Sequence, residues 1–283
     1  MQFKVTRAVA RVLSDPRRIR RLLALEKQRR GVHRDCLVFV GMHNVARHWW
    51  CTQEAVFKSR ANEAQFFAAY LYDRIKLAQE RGLLGEIPWG QEAILEIGDG
   101  LTYSDAEKQF RKEVQPTRAV LGRRRTSRVR VAMSTINDDD FEDPFQRGNR
   151  LEALHAEQYP TFRWNFPWKN FVVIGVPDGI TKTFVYEYKT TRNRYLFNYV
   201  RPIAFAQGDL YAYFFMRSSK RVQIQILEEG VTETYQERAD KNRAEETLGS
   251  FAAVEAGAPA RPPKPWKCRG CEYRNVCPIS QAS

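Results

Sequence analysis

Asp178, Glu187 and Lys189 are the residues whose types and spacing point most directly to chemistry. The aspartate lies in Gly175-Val-Pro-Asp178-Gly179, and Glu187-Tyr188-Lys189 begins nine residues after it. Two carboxylates brought together can hold a hard divalent cation, and a neighbouring ammonium can offset negative charge developing on a phosphoryl group. Such a cation polarises the phosphate, lowers the pKa of a bound water and sets the line of attack, so the chemistry implied is phosphodiester hydrolysis. Without the cation, two like charges at close range oppose one another. The pattern is short and also arises by chance. Its plain alternative is a Glu187–Lys189 pair on a solvated strand, worth little to stability.

For these groups to meet, the surrounding chain must form a hairpin. Phe171–Val176 and Phe184–Lys189 read as its two arms. Side chains alternate along a strand, so Val185, Glu187 and Lys189 share one face. A turn centred between Lys182 and Thr183 sets Asp178 across from Glu187, where cross-strand neighbours stand about 4.5–5.5 Å apart. Downstream, Gln207 and Tyr211 lie on one face of a helix expected over Ile203–Met216. They could reach the metal-bound water, the scissile phosphate or a base; equally, they read as a surface amide and a core aromatic. His155, on a helix expected over Gln146–Gln158, offers an imidazole to a divalent ion or serves as a structural histidine.

A more specific pattern closes the chain: Cys268-x2-Cys271-x5-Cys277. Thiolates at such spacings bind Zn²⁺ or an iron–sulfur cluster. A fourth ligand is needed, and Cys51 and Cys36 are the candidates. Cys51 is preferred because Trp49-Trp50 supplies an apolar wall beside it. A link from Cys51 to the tail closes a very long loop and so restricts the unfolded chain strongly. Five cysteines with three clustered at one end do not form an even secreted framework and suggest metal binding in a reducing compartment.

The chain of 283 residues carries a formal net charge of +13 and a pI near 9.7. A field of that sign attracts polyanions, above all nucleic acid. Arg123, Arg124, Arg125, Arg128 and Arg130 form a run that could follow a phosphate backbone or be a solvated loop offset by the acidic stretch Asp138–Asp143. Trp164 and Trp168 could stack on unpaired bases or pack internally. No apolar run is long enough to span a membrane, and the N-terminus lacks the apolar core of a secretory signal. Met1–Arg34 holds eleven Lys or Arg against Asp15 and Glu26, which suits a basic amphipathic helix in a cytoplasmic protein.

Local patterns predict helical structure over residues 1–34, within which Ser14-Asp15-Pro16 is able to start a helix, and helices over Asn44–Lys58, Ala61–Arg81 and Ser104–Val114. Ser104 and Glu107 form the expected capping box of the last of these. Val222–Leu227 alternates as a strand, and residues 231–248 read as helix. The Pro-rich Gly257–Trp266 reads as an extended linker. Three regions follow: a helical N-terminal part over 1–144, an α/β core over 145–256, and a linker with cysteine tail over 257–283.

The order Cys51, His155, Asp178, Glu187-x-Lys189, Gln207-x3-Tyr211 and Cys268-x2-Cys271-x5-Cys277 resembles the RecB-like branch of the PD-(D/E)XK nucleases. Within it, the pattern is similar to the small CRISPR-associated iron–sulfur exonucleases (the fourth Cas family) and their stand-alone relatives. The resemblance covers residues 145–215 and 266–278 and extends to 41–60. It implies a restriction-endonuclease-like mixed sheet flanked by helices. His155, Asp178, Glu187 and the Tyr188 carbonyl would be Mg²⁺ or Mn²⁺ ligands, Lys189 the catalytic lysine, and Gln207 with Tyr211 the helix motif. The four cysteines would ligate a [4Fe–4S] cluster, with zinc as the alternative. The implied activity is exonucleolytic cleavage of single-stranded DNA or duplex ends. The chain departs from the family in its basic N-terminal extension and in the insertion bearing the Arg run. Its partners are therefore expected to be either CRISPR adaptation proteins or those of a viral, plasmid-borne or recombination-linked relative. The competing reading is a non-catalytic DNA-binding subunit on a degenerate nuclease fold, and a weaker one is a zinc-stapled RNA-binding protein.

Overall fold

The computed structural model describes residues 12–31, 37–83, 93–114 and 159–281, and the backbone alone of 127–130. The chain is mixed α/β and divides into two units of interleaved segments: Met1–Gly41, Lys58–Arg118 and Arg163–Gly175 form the first, and Met42–Phe57, Ala119–Phe162 and Val176–Ser283 the second. Among the described residues, no helix is long and apolar enough to cross a membrane.

The first unit is organised by a three-stranded sheet. Its middle strand is β4 (Phe171–Gly175), parallel to β1 (Val38–Gly41) and antiparallel to β3 (Trp164–Trp168). Every residue of β4 is buried, as its unbroken apolar text requires of a strand covered on both faces. Helix α1 (Pro16–Arg29) starts where Asp15 Oδ1 accepts from the Arg17 amide at 2.9 Å, with Pro16 in the first turn. It buries Ile19, Leu22 and Leu23 against Leu37, Phe39, Phe67, Tyr70 and Leu71.

The second unit holds a five-stranded sheet in the order β2 (Ser127–Arg130), β8 (Val231–Arg238), β7 (Ser219–Ile226), β6 (Phe184–Thr191), β5 (Gly179–Ile180). Strand β6 runs antiparallel to β5 and parallel to β7. The parallel step needs a crossover, supplied by α6 (Arg194–Phe214), which packs against both strands. Asn193 caps this helix by accepting from the Leu196 amide at 3.1 Å. One sheet face buries Val222, Ile224 and Ile226 beneath Phe197 and Ala204 of α6. The other carries Phe184, Tyr186 and Tyr188 with Tyr159 and Leu227.

Several expectations change. Phe171–Val176 is not an arm of the hairpin: β4 pairs with β1 and β3, and β6 takes the short β5 instead. An apolar run matches either partner, and side-chain pattern alone does not choose between them. Residues 231–248 are not one helix but β8 followed by α7 (Lys241–Glu255). Gly230, at φ 60°, turns the chain so that Val231-Thr-Glu-Thr-Tyr pairs along β7, and pairing outweighs weak propensity. The helices expected over 44–58 and 61–81 become α2 (Met42–Ala46), a 3₁₀ turn at Arg47–Trp49 and one long α3 (Thr52–Glu80). Two short helices follow, α4 (Ala93–Glu96) and α5 (Tyr103–Glu113), the latter capped by Thr102 with Asp105 rather than by Ser104 with Glu107. The linker is irregular up to Lys264, and α8 (Pro265–Arg269) begins within its predicted end. The helix expected over 146–158 lies outside the described residues.

Within the first unit, Arg163 clamps the buried Asp73 with two hydrogen bonds of 2.7 and 2.8 Å. Burial nevertheless dominates over Arg163 and lifts the Asp73 carboxyl to about 6. The native state then holds this proton more tightly than the unfolded chain, so stability falls as pH rises from about 4 to about 6, by roughly 3 kcal/mol. Urea unfolding at a series of pH values should show that slope in the wild type and its loss in Asp73→Asn. An equal slope in both contradicts the assignment.

Candidate functional site

The β5–β6 register is Gly179↔Tyr186 and Ile180↔Val185, which continued by one residue sets Asp178 opposite Glu187. The turn is the expected one. Thr181 Oγ1 accepts from the Phe184 amide at 3.0 Å, and the Thr181 carbonyl accepts from Arg217 Nε at 2.7 Å. Gly179 is required by crowding: a Cβ there would stand 2.4 Å from Tyr159 Cβ and 3.2 Å from Tyr186 Cβ. The Pro-Asp-Gly text thus lets the aspartate sit at the strand entrance while its neighbour presses against two rings.

Asp178 Oδ2 accepts from the Tyr188 amide at 2.7 Å, which fixes the carboxylate against β6. Glu187 is fully buried, and its Oε1 pairs with Lys189 Nζ on the same strand face; Lys189 keeps about a quarter of its side chain exposed. Above them, Gln207 Nε2 donates to Tyr211 Oη at 3.0 Å. The Tyr211 phenol is held well above its usual range, first by complete burial and then by the Glu187 and Asp178 charges. Helix α6 packs over the sheet face of Val222, which is at register with Glu187, so the α6 pair lies on the same side of the sheet as that carboxylate. Tyr186 and Tyr188 occupy the opposite face, where Tyr186 Oη donates to Gln223 Oε1 at 2.6 Å and Tyr188 Oη to Gln225.

The structure therefore brings Asp178, Glu187, Lys189, Gln207 and Tyr211 together. His155 lies outside the described residues. Among those described, no three His, Cys, Asp or Glu side chains form a group that could hold a metal ion. Two carboxylates beside a strand carbonyl are nonetheless the hard oxygen donors that suit Mg²⁺ or Mn²⁺.

Cys51, Cys268, Cys271 and Cys277, all free, line one cavity with Trp50, Phe57, Lys267 and Tyr273. The chain is wound tightly there: the Cys271 amide donates to the Cys268 carbonyl at 3.1 Å, and the Ser280 amide to the Cys277 carbonyl at 3.2 Å. Burial raises the Cys51 and Cys271 thiols above their ordinary value, and the nearby Cys277 sulfur adds to both. Cys36 lies outside the described residues. So do Arg123, Arg124 and Arg125. Arg128 and Arg130 fall in β2, at register with Glu233 and Val231 of β8. Trp164 is buried in the first unit, and Trp168 carries Lys169 over its ring at 4.6 Å.

Sequence reasoning passed over Asp209 and Lys220. Both are fully buried, joined at 2.5 Å, and Asp209 also accepts from the Asp240 amide at 2.8 Å and pairs with Arg243 at 3.3 Å. A signal was present: Lys220 has the inward parity of Val222, Ile224 and Ile226 on β7. Asp209 stands between Gln207 and Tyr211 in sequence but on the far side of α6, so this pair fixes the helix's rotation above β6.

No protein-family model matches the chain, and no curated protein matches it. Among solved structures it is similar to one titled "Crystal structure of SSO0001", at 11% identity over 92% of this chain and 96% of that one, with a TM-score of 0.41. An overlap that loose does not define a shared fold.

Removing Lys220 takes an ammonium from the buried Asp209 and from Glu237, 3.0 Å away, while Asp209 keeps Arg243 and the Asp240 amide. Lys220→Ala should lower unfolding stability by up to about 3–5 kcal/mol, the cost of breaking a buried pair, and the double variant Asp209→Asn, Lys220→Met should recover part of it. Chemical denaturation checks this, and a single variant as stable as wild type contradicts it.

Proposed function

We propose that this chain is a divalent-metal-dependent DNA exonuclease of the RecB-like PD-(D/E)XK type, acting on single-stranded DNA or duplex ends. The observation that carries the reading is the convergence of Asp178, Glu187 and Lys189 on one side of the β5–β6 hairpin, beneath Gln207 and Tyr211 of α6. Complete burial of Glu187 counts against a solvated surface pair, because a carboxylate is withdrawn from water at a cost of several kcal/mol only where something compensates it. The mixed β5–β6–β7 pairing with its α6 crossover is compatible with the mixed sheet flanked by helices that the resemblance implies.

Asp178, Glu187 and the Tyr188 carbonyl would hold Mg²⁺ or Mn²⁺, with His155 as a further ligand. When bound, the ion supplies Lewis acidity and a water of lowered pKa. The protein's own groups do the positioning. The Tyr188 amide holds the Asp178 carboxylate in place. Lys189 steadies Glu187 and keeps an exposed portion of its chain for negative charge at the scissile phosphate. Tyr211 stays protonated, so its hydroxyl remains a hydrogen-bond donor while its oxygen accepts from Gln207.

The four thiols would hold a [4Fe–4S] cluster. They share one cavity, and the family resemblance favours the cluster, with zinc as the alternative occupant of the same thiolates. Such a cluster would tie Cys51 to the tail and close a loop of more than two hundred residues. A cytoplasmic setting and CRISPR adaptation or recombination partners accompany this reading.

Asp178→Ala and Lys189→Ala should each reduce Mg²⁺- or Mn²⁺-dependent release of nucleotides from labelled DNA by at least about a hundredfold, the scale of losing one preorganised charge. Visible absorbance should be unchanged in both, and both should remain folded at the assay temperature, with a lower unfolding midpoint in Lys189→Ala because the buried Glu187 carboxylate loses its ammonium partner. Full activity in either variant rules the mechanism out. Cys51→Ser should instead lose the visible chromophore and bound iron and melt at lower temperature. A colourless wild type carrying one zinc after anaerobic purification would remove the cluster.

A further inference from the structure

At the start of α6, away from the carboxylates, three rings gather. Tyr195, Tyr199 and Trp266 have centroids 5.4, 5.1 and 6.0 Å apart in the three pairings, at interplanar angles between 51° and 74°. None of these pairs stacks face to face. Tyr195 is 56% exposed, unlike a core aromatic, and Trp50 backs the group at 5.4 Å from Trp266.

Ammonium groups are interleaved with the rings. Lys264 Nζ donates to Tyr199 Oη at 3.2 Å, and Lys267 lies 4.4 Å from the Trp50 centroid and 5.1 Å from that of Tyr199. Between Arg261 and Arg274 the chain carries five basic residues against the single acid Glu272. Rings mixed with cations suit a polyanion with accessible flat faces, rather than an apolar partner. Tyr199 precedes Gln207 by eight residues and Tyr195 by twelve, about 12 and 18 Å along the helix at 1.5 Å per residue. A short run of unpaired strand spans that distance.

We propose that Tyr195, Tyr199 and Trp266, edged by Lys264, form a stacking platform for unpaired bases of single-stranded DNA, leading the strand toward the carboxylate site. The proposal rests on the nuclease reading above and names which strand state that enzyme grips. Bases of an intact duplex have their faces covered by their neighbours, whereas those of a single strand stack on aromatic side chains with little sequence preference.

The test is fluorescence anisotropy of labelled oligo(dT) with the full-length protein in EDTA, where no cleavage occurs. Tyr195→Ala should weaken binding about tenfold, the loss of one stacked base, while Tyr195→Phe retains it. Affinity for a blunt duplex should not change in Tyr195→Ala. Lys264→Ala should reduce the salt dependence on oligo(dT) by about 0.7 in log–log slope. The proposal is overturned if a folded Tyr195→Ala binds oligo(dT) as tightly as wild type, if single strand and duplex lose equally, or if oligo(U) is bound more tightly than oligo(dT). A wild type that shows this binding pattern but cleaves nothing with Mg²⁺ or Mn²⁺ would remove the nuclease reading and leave the platform standing.

Discussion

Complete burial of the Glu187 carboxylate is the constraint around which the second unit is arranged. A charge taken from water needs compensation within hydrogen-bonding reach, and β6 supplies it from its own face through Lys189. The alternation of the strand then leaves Tyr186 and Tyr188 for the other face, where their hydroxyls are taken up by Gln223 and Gln225 of β7. Flanking β6 with β5 and β7 fixes both its neighbours. Asp178 accordingly has one place to stand, at the mouth of the hairpin against the Tyr188 amide.

Helix α6 completes the enclosure because it is held on two sides. One side presents Gln207 and Tyr211 to the carboxylates. The opposite side is bound by Asp209 to Lys220, Arg243 and the Asp240 amide. Gly208 allows this close approach, since a Cβ there would meet Lys220 Cδ at 3.2 Å. The Gln-Gly-Asp-Leu-Tyr text therefore combines two tasks on one turn of helix, with buried polar contacts on each side resisting rotation. The cysteine cavity applies the same economy, with Cys51 and a tail rich in turns meeting beside Trp50 and Phe57.

Local signals were legible wherever they depended on parity or on a cap. The register centred between Lys182 and Thr183, the shared face of Glu187 and Lys189, and the start of α1 at Asp15 and Pro16 all follow from short-range geometry. The identity of strand partners did not. Phe171–Val176 and Gly179–Ile180 both precede the turn, and only long-range pairing decides that β4 joins β1 and β3 while β5 joins β6. Val231–Arg238 carries enough Glu, Gln and Arg to read as helix, yet β7 recruits it as a strand.

By itself, the sequence determined the residue types available for chemistry, their alternation along β6, their helical spacing on α6 and the thiol spacing of the tail. These are consequences of covalent order and of periods of two and 3.6 residues. The tertiary structure decided which carboxylates become neighbours, that Glu187 is sealed from water, that Asp209 meets Lys220, and that Cys51 reaches the tail cavity. Those outcomes depend on contacts between residues far apart in the chain, which no local period encodes.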